Sequence, residues 1–300
     1  MKARIGIIGT GWVGTSVAFS TLLAGHAREL WLHDLRIDVA EGEALDLADG
    51  AAFYPRCEVK AVPLAQMREA DIVVLAAGRN GRADESRLDL LRDNARIAAG
   101  VGRSLTGFGG IVIVVTNPVD VLTRVVRSAS GLPPERVIGT GTLLDTARLR
   151  QRLAVKLGVA TQSVHVQMVG EHGDTSVPLW SGARVGGVPL RDWPGWQPQD
   201  EATLAQEVRR AAYEVIKRKG ATNHAIGLVT AELLGCIVND ERRLLPVCRV
   251  QDDGVALSLP ALVGAAGAVA VTAPAMDRAE RAALVTSSDV LDRAFGTLAA

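Results

Sequence analysis

The sequence predicts an α/β fold in which a doubly wound parallel sheet is followed by an α+β unit. In the first half, short runs rich in Ile and Val alternate with segments of helical periodicity, as strand–helix–strand units do. In the second half the alternation fades, and strands separated by Gly and Pro turns are mixed with long helices. The 300 residues suffice for two such units, which we expect at residues 1–141 and 142–300.

Composition and charge exclude several classes of protein. A hydrophobic fraction of 48% and a charged fraction of 22% argue against general disorder. A formal net charge of zero gives no electrostatic reason to bind nucleic acid. Cys57, Cys236 and Cys248 lack metal-ligand spacing and suit a reducing compartment, and the small-apolar run at residues 261–273 is too short to span a membrane. We therefore expect a cytoplasmic protein without metal, nucleic-acid or membrane partners.

The first strand, residues 4–8, leads directly into a glycine-rich turn and then a helix. Gly9 permits the tight turn, Gly11 lets a pyrophosphate approach the backbone, and Gly14 lets the helix pack on the strand. Asp34 ends the second strand, twenty positions after Gly14, where a carboxylate can accept both ribose hydroxyls. This context predicts a Rossmann-type site for NAD, because a carboxylate would repel the 2′-phosphate of NADP.

The next elements continue the strand–helix alternation. A helix at residues 41–49 precedes a buried strand at 71–76, and a strongly charged segment at 78–87 separates that strand from a helix at 88–101. Ligands of doubly wound sheets bind at the carboxyl ends of the strands. We therefore interpret residues 78–87 as a mobile lid, with a solvated connection as the alternative.

The fourth strand, residues 111–115, ends in a polar segment. Asn117 at this edge can hydrogen-bond cofactor or substrate; the alternative is a turn residue before a proline. After a helix at 119–130 and a short strand at 137–139, Asp145 and Arg148 share one face of the next helix. A surface ion pair is the alternative for these two. The second unit is predicted to contain strands at 164–169, 181–185, 244–250 and 255–259, and helices at about 200–218, 222–235 and 277–298.

A histidine follows the predicted strand at residues 164–169. His172 stands between Gly170-Glu171 and Gly173-Asp174, where the glycines let the backbone turn sharply. Its ordinary pKa is near neutrality, so at the mouth of a cleft it could exchange a proton. From this segment alone, a surface histidine in a turn is an equally good interpretation.

Together these motifs resemble the L-lactate/malate dehydrogenase family, and within it the bacterial L-lactate dehydrogenases. The resemblance covers essentially the whole chain and is specific because many motifs occur in the same order. The matching segments are residues 9–14, Asp34, 76–78, 85–91, 116–120, 139–150, 170–174, 219–222 and 257–260.

The resemblance implies hydride transfer between NAD and a 2-hydroxy acid, with a role for each charged residue. His172 is the base that takes the hydroxyl proton, and Asp145 orients its ring. Arg148 binds the substrate carboxylate, and Arg87 on the lid polarises the carbonyl. No metal is required. The residues implied to bind NAD are Gly9, Gly11, Trp12, Val13, Gly14, Asp34, Ala77, Gly78, Thr116 and Asn117.

The substrate pocket departs from the family pattern at one position. Asn117 and Thr222 are implied to contact the substrate, but Gly81 stands six before Arg87, where lactate enzymes have Gln and malate enzymes have Arg. We expect an L-lactate dehydrogenase with a broadened range of 2-hydroxy acids. The alternatives are a malate dehydrogenase, if Arg82 swings in to meet a second carboxylate, and a non-catalytic NAD-binding protein.

The resemblance also implies self-association and regulation. The family forms homotetramers or dimers, and its bacterial lactate enzymes bind fructose 1,6-bisphosphate between subunits through an Arg and a His. Arg150 and His165 occupy the matching positions, and both side chains can be cations suited to a phosphate. The alternatives are an exposed charge on a helix and an ordinary strand histidine.

Overall fold

The computed structural model describes residues 3–79, 81, 86–271 and 273–298, apart from the side chain of Arg87. Strands and helices alternate in the first half of the chain. The strands are β1 (Ala3–Ile8), β2 (Ala27–His33), β3 (Glu58–Ala61), β4 (Ile72–Leu75), β5 (Ile111–Val114), β6 (Val137–Gly139), β7 (Val164–His165), β8 (Met168–Val169), β9 (Val177–Pro178), β10 (Arg184–Val185), β11 (Val188–Pro189), β12 (Arg243–Val250), β13 (Ala256–Gly264) and β14 (Gly267–Ala270).

Helices cover both faces of the main sheet and include three long helices in the second half. The helices are α1 (Trp12–Ala24), α2 (Ile37–Asp49), α3 (Arg87–Ser104), α4 (Val119–Ser130), α5 (Leu143–Leu157), α6 (Gln199–Lys219), α7 (His224–Val238) and α8 (Arg278–Gly296). The last of them begins at a capping box, in which Asp277 and Glu280 satisfy each other's backbone N–H groups. Of the helices described, none combines the length and apolar character needed to cross a membrane.

The main sheet contains a doubly wound parallel part, as the sequence predicts. Its parallel strands lie in the order β6-β5-β4-β1-β2-β3, so the order reverses at β1. The central strands β4 and β5 are entirely apolar and buried, because helices cover both faces. One face packs against α1 and α7, and the other against α3 and α4. The reversal creates a crevice at the carboxyl ends of β1 and β4.

Strands from the second half extend this same sheet. β12 pairs antiparallel to β6 through Cys248 and Gly139, and β13 and β14 follow in antiparallel order. The sheet therefore runs past the boundary expected at residue 141, and the division into two units stays a prediction.

Several elements differ from the sequence prediction. The strand expected at 164–169 is divided into β7 and β8, which join different sheets, because the Val166 carbonyl accepts a hydrogen bond from Arg150 Nε. The strand expected at 181–185 shortens to β10, since the Ala183 N–H closes a turn on Trp180. The prediction omitted β3 and β14, whose polar or small residues carry little strand signal.

Candidate active site

A cavity of about 370 Å³ opens at the carboxyl ends of the parallel strands and receives residues from both halves of the chain. Its position is the crevice expected for a doubly wound sheet. The predicted site residues that line it are Gly11, Trp12, Val13, Gly78, Gly81, Thr116, Asn117, Arg148, His172 and Thr222. The predicted residues outside that lining are Gly9, Gly14, Asp34, Ala77 and Asp145. Asp34 contacts Thr10 within the glycine turn, and the other four each contact a neighbouring site residue.

The turn between β1 and α1 has the geometry of a phosphate cradle. A Cβ atom on Gly9 would collide with the backbone of Ala77, and one on Gly14 would collide with the carbonyl of Gly9. A Cβ on Gly11 would meet nothing within 4 Å, so the backbone there is open to a ligand. Gly11 caps α1 without a side-chain hydrogen bond, which leaves the helix N–H groups for an anion. These residues fit the pyrophosphate of NAD.

Asp34 is fixed beside this cradle. Its Oδ2 accepts the N–H of Thr10 at 3.0 Å, and its Oδ1 accepts the N–H of Arg36 at 3.1 Å. Burial opposes ionisation, but these backbone hydrogen bonds outweigh it and lower the pKa of the Asp34 carboxyl. The group is therefore an anion at neutral pH, as a partner of ribose hydroxyls requires.

The strand ends that form the floor of the cavity are tied together by side chains. Thr116 Oγ1 donates to the carbonyl of Ala77 at 2.8 Å, and a Cβ on Gly78 would collide with the Thr116 methyl group. The predicted contact residues Ala77, Gly78 and Thr116 are thus in mutual contact. Asn117, at the end of the same segment, lines the cavity.

Asn94 is a cavity residue that the sequence analysis missed. It is 3% exposed on α3, its Oδ1 accepts the N–H of Arg79 at 2.9 Å, and its Nδ2 donates to the carbonyl oxygens of Arg79 and Asn117 at 3.3 Å. It therefore ties the ends of β4 and β5 to α3. A polar residue on a buried face of the predicted helix 88–101 was the signal that could have found it.

The predicted base and its partners meet in a buried chain of charges. His172 Nδ1 lies 2.6 Å from Asp145 Oδ2, and Arg148 donates to Asp145 Oδ1 at 3.0 Å. The Arg148 and Asp145 side chains are 17% and 8% exposed, so the pair is not the surface ion pair weighed as an alternative. His172 is likewise not an isolated surface histidine.

Electrostatics favour a charged histidine beside a charged aspartate. Burial works against the imidazolium, but the neighbouring Asp145, and then Asp120, raise the pKa of His172 above its usual value. Burial also opposes ionisation of Asp145, while His172 and Arg148 hold the pKa of that carboxyl below its usual value. The arrangement can accept a proton at His172 and stabilise the resulting charge.

Comparison with known proteins adds to this geometry. The model for "lactate/malate dehydrogenase, NAD binding domain" matches residues 3–139, and that for "lactate/malate dehydrogenase, alpha/beta C-terminal domain" matches residues 142–299. The chain belongs to the lactate/malate dehydrogenase family. This confirms the resemblance, and the NAD-binding model confirms NAD as the cofactor.

Similar proteins of this family cover nearly the whole chain. L-lactate dehydrogenase of Thermus aquaticus is 40% identical over 98% of this chain and 99% of its own. L-lactate dehydrogenase 2 of Lactococcus lactis is 41% identical over 88% of each chain. The crystal structure of a minor L-lactate dehydrogenase from Enterococcus mundtii, in a ligand-bound form, is 37% identical, covers 99% of this chain and 98% of its own, and has a TM-score of 0.96. These matches confirm the fold class and the dehydrogenase class.

The loop that carries His172 is held in place by residues of β13 and α8, which are distant from it in the sequence. Gly170 exchanges backbone hydrogen bonds with Ser258 on β13, at 2.8 and 3.0 Å. Ser287 on α8 is fully buried and accepts the N–H of Glu171 at 2.8 Å. A Cβ on Gly170 would lie only 2.6 Å from Ser287 Oγ, so a larger residue would push α8 away.

The substrate side of the cavity is formed partly by α6 and the residues that follow it. Ala212, Ile216 and Thr222 line it together with Gly81 and Leu90. A Cβ on Gly81 would lie 3.2 Å from Leu90 Cδ2, which is tight but adjustable. Arg82, which was predicted to approach the substrate, lies outside the described residues. So does the side chain of Arg87, whose backbone begins α3 beside the capping residue Ser86.

Arg150 and His165 do not join the cavity lining. Arg150 Nε donates to the carbonyl of Val166 at 3.0 Å, which places the guanidinium beside the end of β7. Burial, and then the charge of Arg243, lower the pKa of Arg150. His165 is exposed on β7, directly opposite Arg184 on β10. The basic residues Arg150, His165 and Arg184 thus lie in a second region of the molecule, outside the cavity lining.

Proposed function

We propose that the chain catalyses the reversible, NAD-dependent interconversion of L-lactate and pyruvate. The observation that carries the proposal is the buried His172–Asp145 pair, 2.6 Å apart, in a cleft shared with Arg148 and the glycine turn. A proton acceptor, a cation for a carboxylate and a dinucleotide site are what oxidation of a 2-hydroxy acid needs. Relatives named L-lactate dehydrogenase, which match 98% of the chain in one case, support the choice of reaction.

His172 carries the proton in this mechanism. Its Nδ1 is engaged by Asp145, so Nε2 is the atom that can take the proton of the substrate hydroxyl. Asp145 fixes the ring and stabilises the imidazolium that forms. The glycine turn and Asp34 would hold NAD, which would supply the acceptor for the hydride of the carbon that carries the hydroxyl. In the reverse direction, protonated His172 donates to the carbonyl oxygen of pyruvate.

Arg148 is assigned to the substrate carboxylate, and Arg87 to the carbonyl oxygen, where negative charge develops during the reaction. Arg148 presents a planar guanidinium to the carboxylate, and its NH1 bond to Asp145 holds it next to the histidine. We assign Arg87 to the carbonyl oxygen because it begins α3, whose residues Leu90 and Asn94 line the cleft, in a segment that matches the family's catalytic arginine.

The pocket for the substrate side chain favours a neutral group. Gly81, Thr222 and Ala212 line it without a charge, and Arg79, a cation in the lining, is engaged by Asp93 at 2.9 and 2.6 Å. A second carboxylate would therefore lose solvation without a free partner among the described residues. Lactate fits these conditions better than malate, and the space left by Gly81 admits larger apolar side chains.

The substrate assignment is tested by comparing kcat/KM for pyruvate, 2-ketobutyrate, phenylpyruvate and oxaloacetate with NADH. We expect pyruvate to exceed oxaloacetate by about tenfold or more, since an unpaired buried charge costs well over 1.4 kcal/mol. Gly81→Gln should narrow the range toward pyruvate by extending a side chain into the pocket, once Leu90 shifts slightly to accept the new Cβ. The control is Gly42→Gln, a change on α2 where an added Cβ would meet nothing within 4 Å. If oxaloacetate leads and Arg82→Gln abolishes that lead, the protein is a malate dehydrogenase.

An effector site at Arg150 and His165 is a second part of the proposal. The supporting observation is the proximity of Arg150 to β7, with exposed His165 opposite Arg184. Fructose 1,6-bisphosphate is expected to lower the pyruvate concentration for half-saturation, because its phosphates would neutralise these cations. Arg150→Gln should abolish the response. The control is Arg152→Gln, on the same helix as Arg150. This change removes a surface partner of Glu207 and should retain the response to the bisphosphate. An unchanged saturation curve with the bisphosphate would contradict the effector site.

Self-association and location complete the proposal. Phe19 and Leu23 lie one turn apart on α1 and are 56% and 54% exposed, and Leu228 on the adjacent α7 is 65% exposed. An apolar face of this kind supports pairing with a second copy of the chain. The oligomeric state, dimer or homotetramer, can be measured in the same samples used for the effector titration. A cytoplasmic location remains a prediction from cysteine usage.

A further inference from the structure

Asp120 is a buried carboxyl group that the proposed mechanism does not use. It lies in the first turn of α4 and is 2% exposed. Its Oδ2 accepts the backbone N–H of His172 at 2.7 Å. Its Oδ1 is also buried, and no conventional hydrogen bond reaches it from the part of the chain that the structure describes. The carboxyl group therefore holds the histidine loop through one oxygen, while the other oxygen is left without a hydrogen-bond donor in the described part of the chain.

A purely structural role does not account for a carboxylate at this position. An amide side chain would accept the same N–H bond through its oxygen, without the cost of burying a charge. A buried carboxyl group with an unsatisfied oxygen is expected only where its negative charge has a favourable interaction with another group. The adjacent group with which a negative charge can interact favourably is His172, whose backbone Asp120 already holds.

We propose that Asp120 is a positioning residue for proton transfer, which fixes the backbone of His172 and supplies a second negative charge that favours its protonated ring. The proposal rests on the function proposed above. Asp145 holds the ring directly at Nδ1, whereas Asp120 acts through the main chain and through space. His172 thus contacts two carboxyl groups, one from α4 through its backbone and one from α5 through its ring.

The surroundings of Asp120 determine how it titrates. Burial raises the pKa of Asp120 to about 6, although the His172 N–H and the Cys248 thiol favour its ionised form. Glu171, on the same loop as His172, raises it further. Burial and the charge of Asp120 in turn raise the pKa of Cys248 well above its usual value, so the thiol stays neutral. The His172 ring and the Asp120 carboxyl group therefore each favour the charged form of the other.

Among the described residues, the charges that act on Asp120 most strongly are those of His172 and Glu171. β12, which also packs on α4, contributes the Cys248 thiol and Arg249, and the charge of Arg249 favours the ionised form of that thiol. β5 and β6 present apolar residues and glycine, and β13 presents Leu257 and Ser258. On α8, Asp292 is occupied by Arg124, one turn further along α4, at 2.7 Å. Arg148 and Asp145 on α5 act on the histidine ring itself.

Asp120→Asn tests the charge while keeping a side-chain oxygen for the N–H of His172. Losing a negative charge near the ring should lower the pKa of His172 by about half a unit or more. This can be followed by NMR titration of the histidine ring protons, with the resonance assigned by its loss in His172→Asn. The kcat/KM for pyruvate reduction, which needs protonated His172, should then decline at correspondingly lower pH. Asp120→Ala also removes the backbone contact and should lower kcat by about tenfold more, with NADH binding unchanged.

The matched control is Asp292→Asn, which removes an aspartate charge from the neighbouring helix without touching the loop. It should leave the His172 titration in place. An unchanged His172 pKa in Asp120→Asn would overturn the proposal. If that variant does not fold, an NMR pH titration of the His172 backbone amide nitrogen in the unmodified protein tests the proposal instead. A titration step at about pH 6 supports a carboxyl partner, and its absence overturns it.

These readouts separate the proposal from the function on which it rests. The ring and amide titrations require no substrate and test Asp120 directly. If the unmodified protein turns over neither pyruvate nor oxaloacetate, the proposed function fails while the titrations still decide the role of Asp120. If turnover is present and the titrations show no coupling, the function stands and the role of Asp120 is wrong.

Discussion

Replacing His172 with Asn is expected to lower turnover in both directions by about 10²–10⁴-fold while NADH binding persists. Asn can occupy the same volume and bind Asp145, but it cannot take or release the proton. The glycine turn and Asp34, which we assign to the dinucleotide, make no hydrogen bond to His172, so cofactor affinity should be unaffected. The measurements are kcat for lactate and pyruvate, and a fluorescence titration with NADH.

His26→Asn is the matched control for this substitution. His26 precedes β2 at the amino end of the sheet, away from the cleft, and its ring contacts Gly235 on α7. The control should retain most of the activity. If His172→Asn kept about a tenth of the original rate, His172 would not be the essential proton carrier.

Arg148→Lys is expected to lower kcat/KM for pyruvate by about 10²-fold, mainly through KM. Two charge-assisted hydrogen bonds from a planar guanidinium are replaced by the point charge of an ammonium group, at a cost of about 3 kcal/mol. Lysine preserves a positive charge near Asp145, so the histidine pair should be less disturbed than the carboxylate site. Steady-state kinetics with varied pyruvate separate the KM effect from any loss of kcat.

Arg152→Lys controls for a charge-preserving change on the same helix. Arg152 pairs with Glu207 at the surface, where a lysine can make a similar contact. The control should leave kcat/KM within about twofold of the original value, as exposed pairs contribute little. A comparably small change in Arg148→Lys would show that Arg148 does not hold the substrate carboxylate.

The first strand–turn–helix unit was predictable because its signals are local. Gly9, Gly11 and Gly14 occur next to the strand and helix that give them meaning, and the parallel sheet then brings later strand ends to the same edge. His172 and Asp145, 27 residues apart, were joined only by the family resemblance. Periodicity alone could not have paired them.

Other parts of the site depend on contacts that no local pattern encodes. Asp120 matched a family motif, yet its bond to His172 spans 52 residues and was not anticipated. In the sequence, Asn94 is one polar residue within a predicted helix. Its hydrogen bonds to the backbone of Arg79 and Asn117 are visible only in the structure. The division of the strand at 164–169 arises from Arg150, whose bond to a strand carbonyl is a tertiary contact.

The anchoring of the histidine loop by Ser287 has a consequence during synthesis on the ribosome. The glycine turn, Asp34 and His172 all emerge before α8, which carries Ser287 and is the last helix described. The loop that carries the base therefore gains its final support only when α8, made last among these elements, docks against it. Completion of the proton-transfer site is therefore expected to be among the last steps of folding on the ribosome.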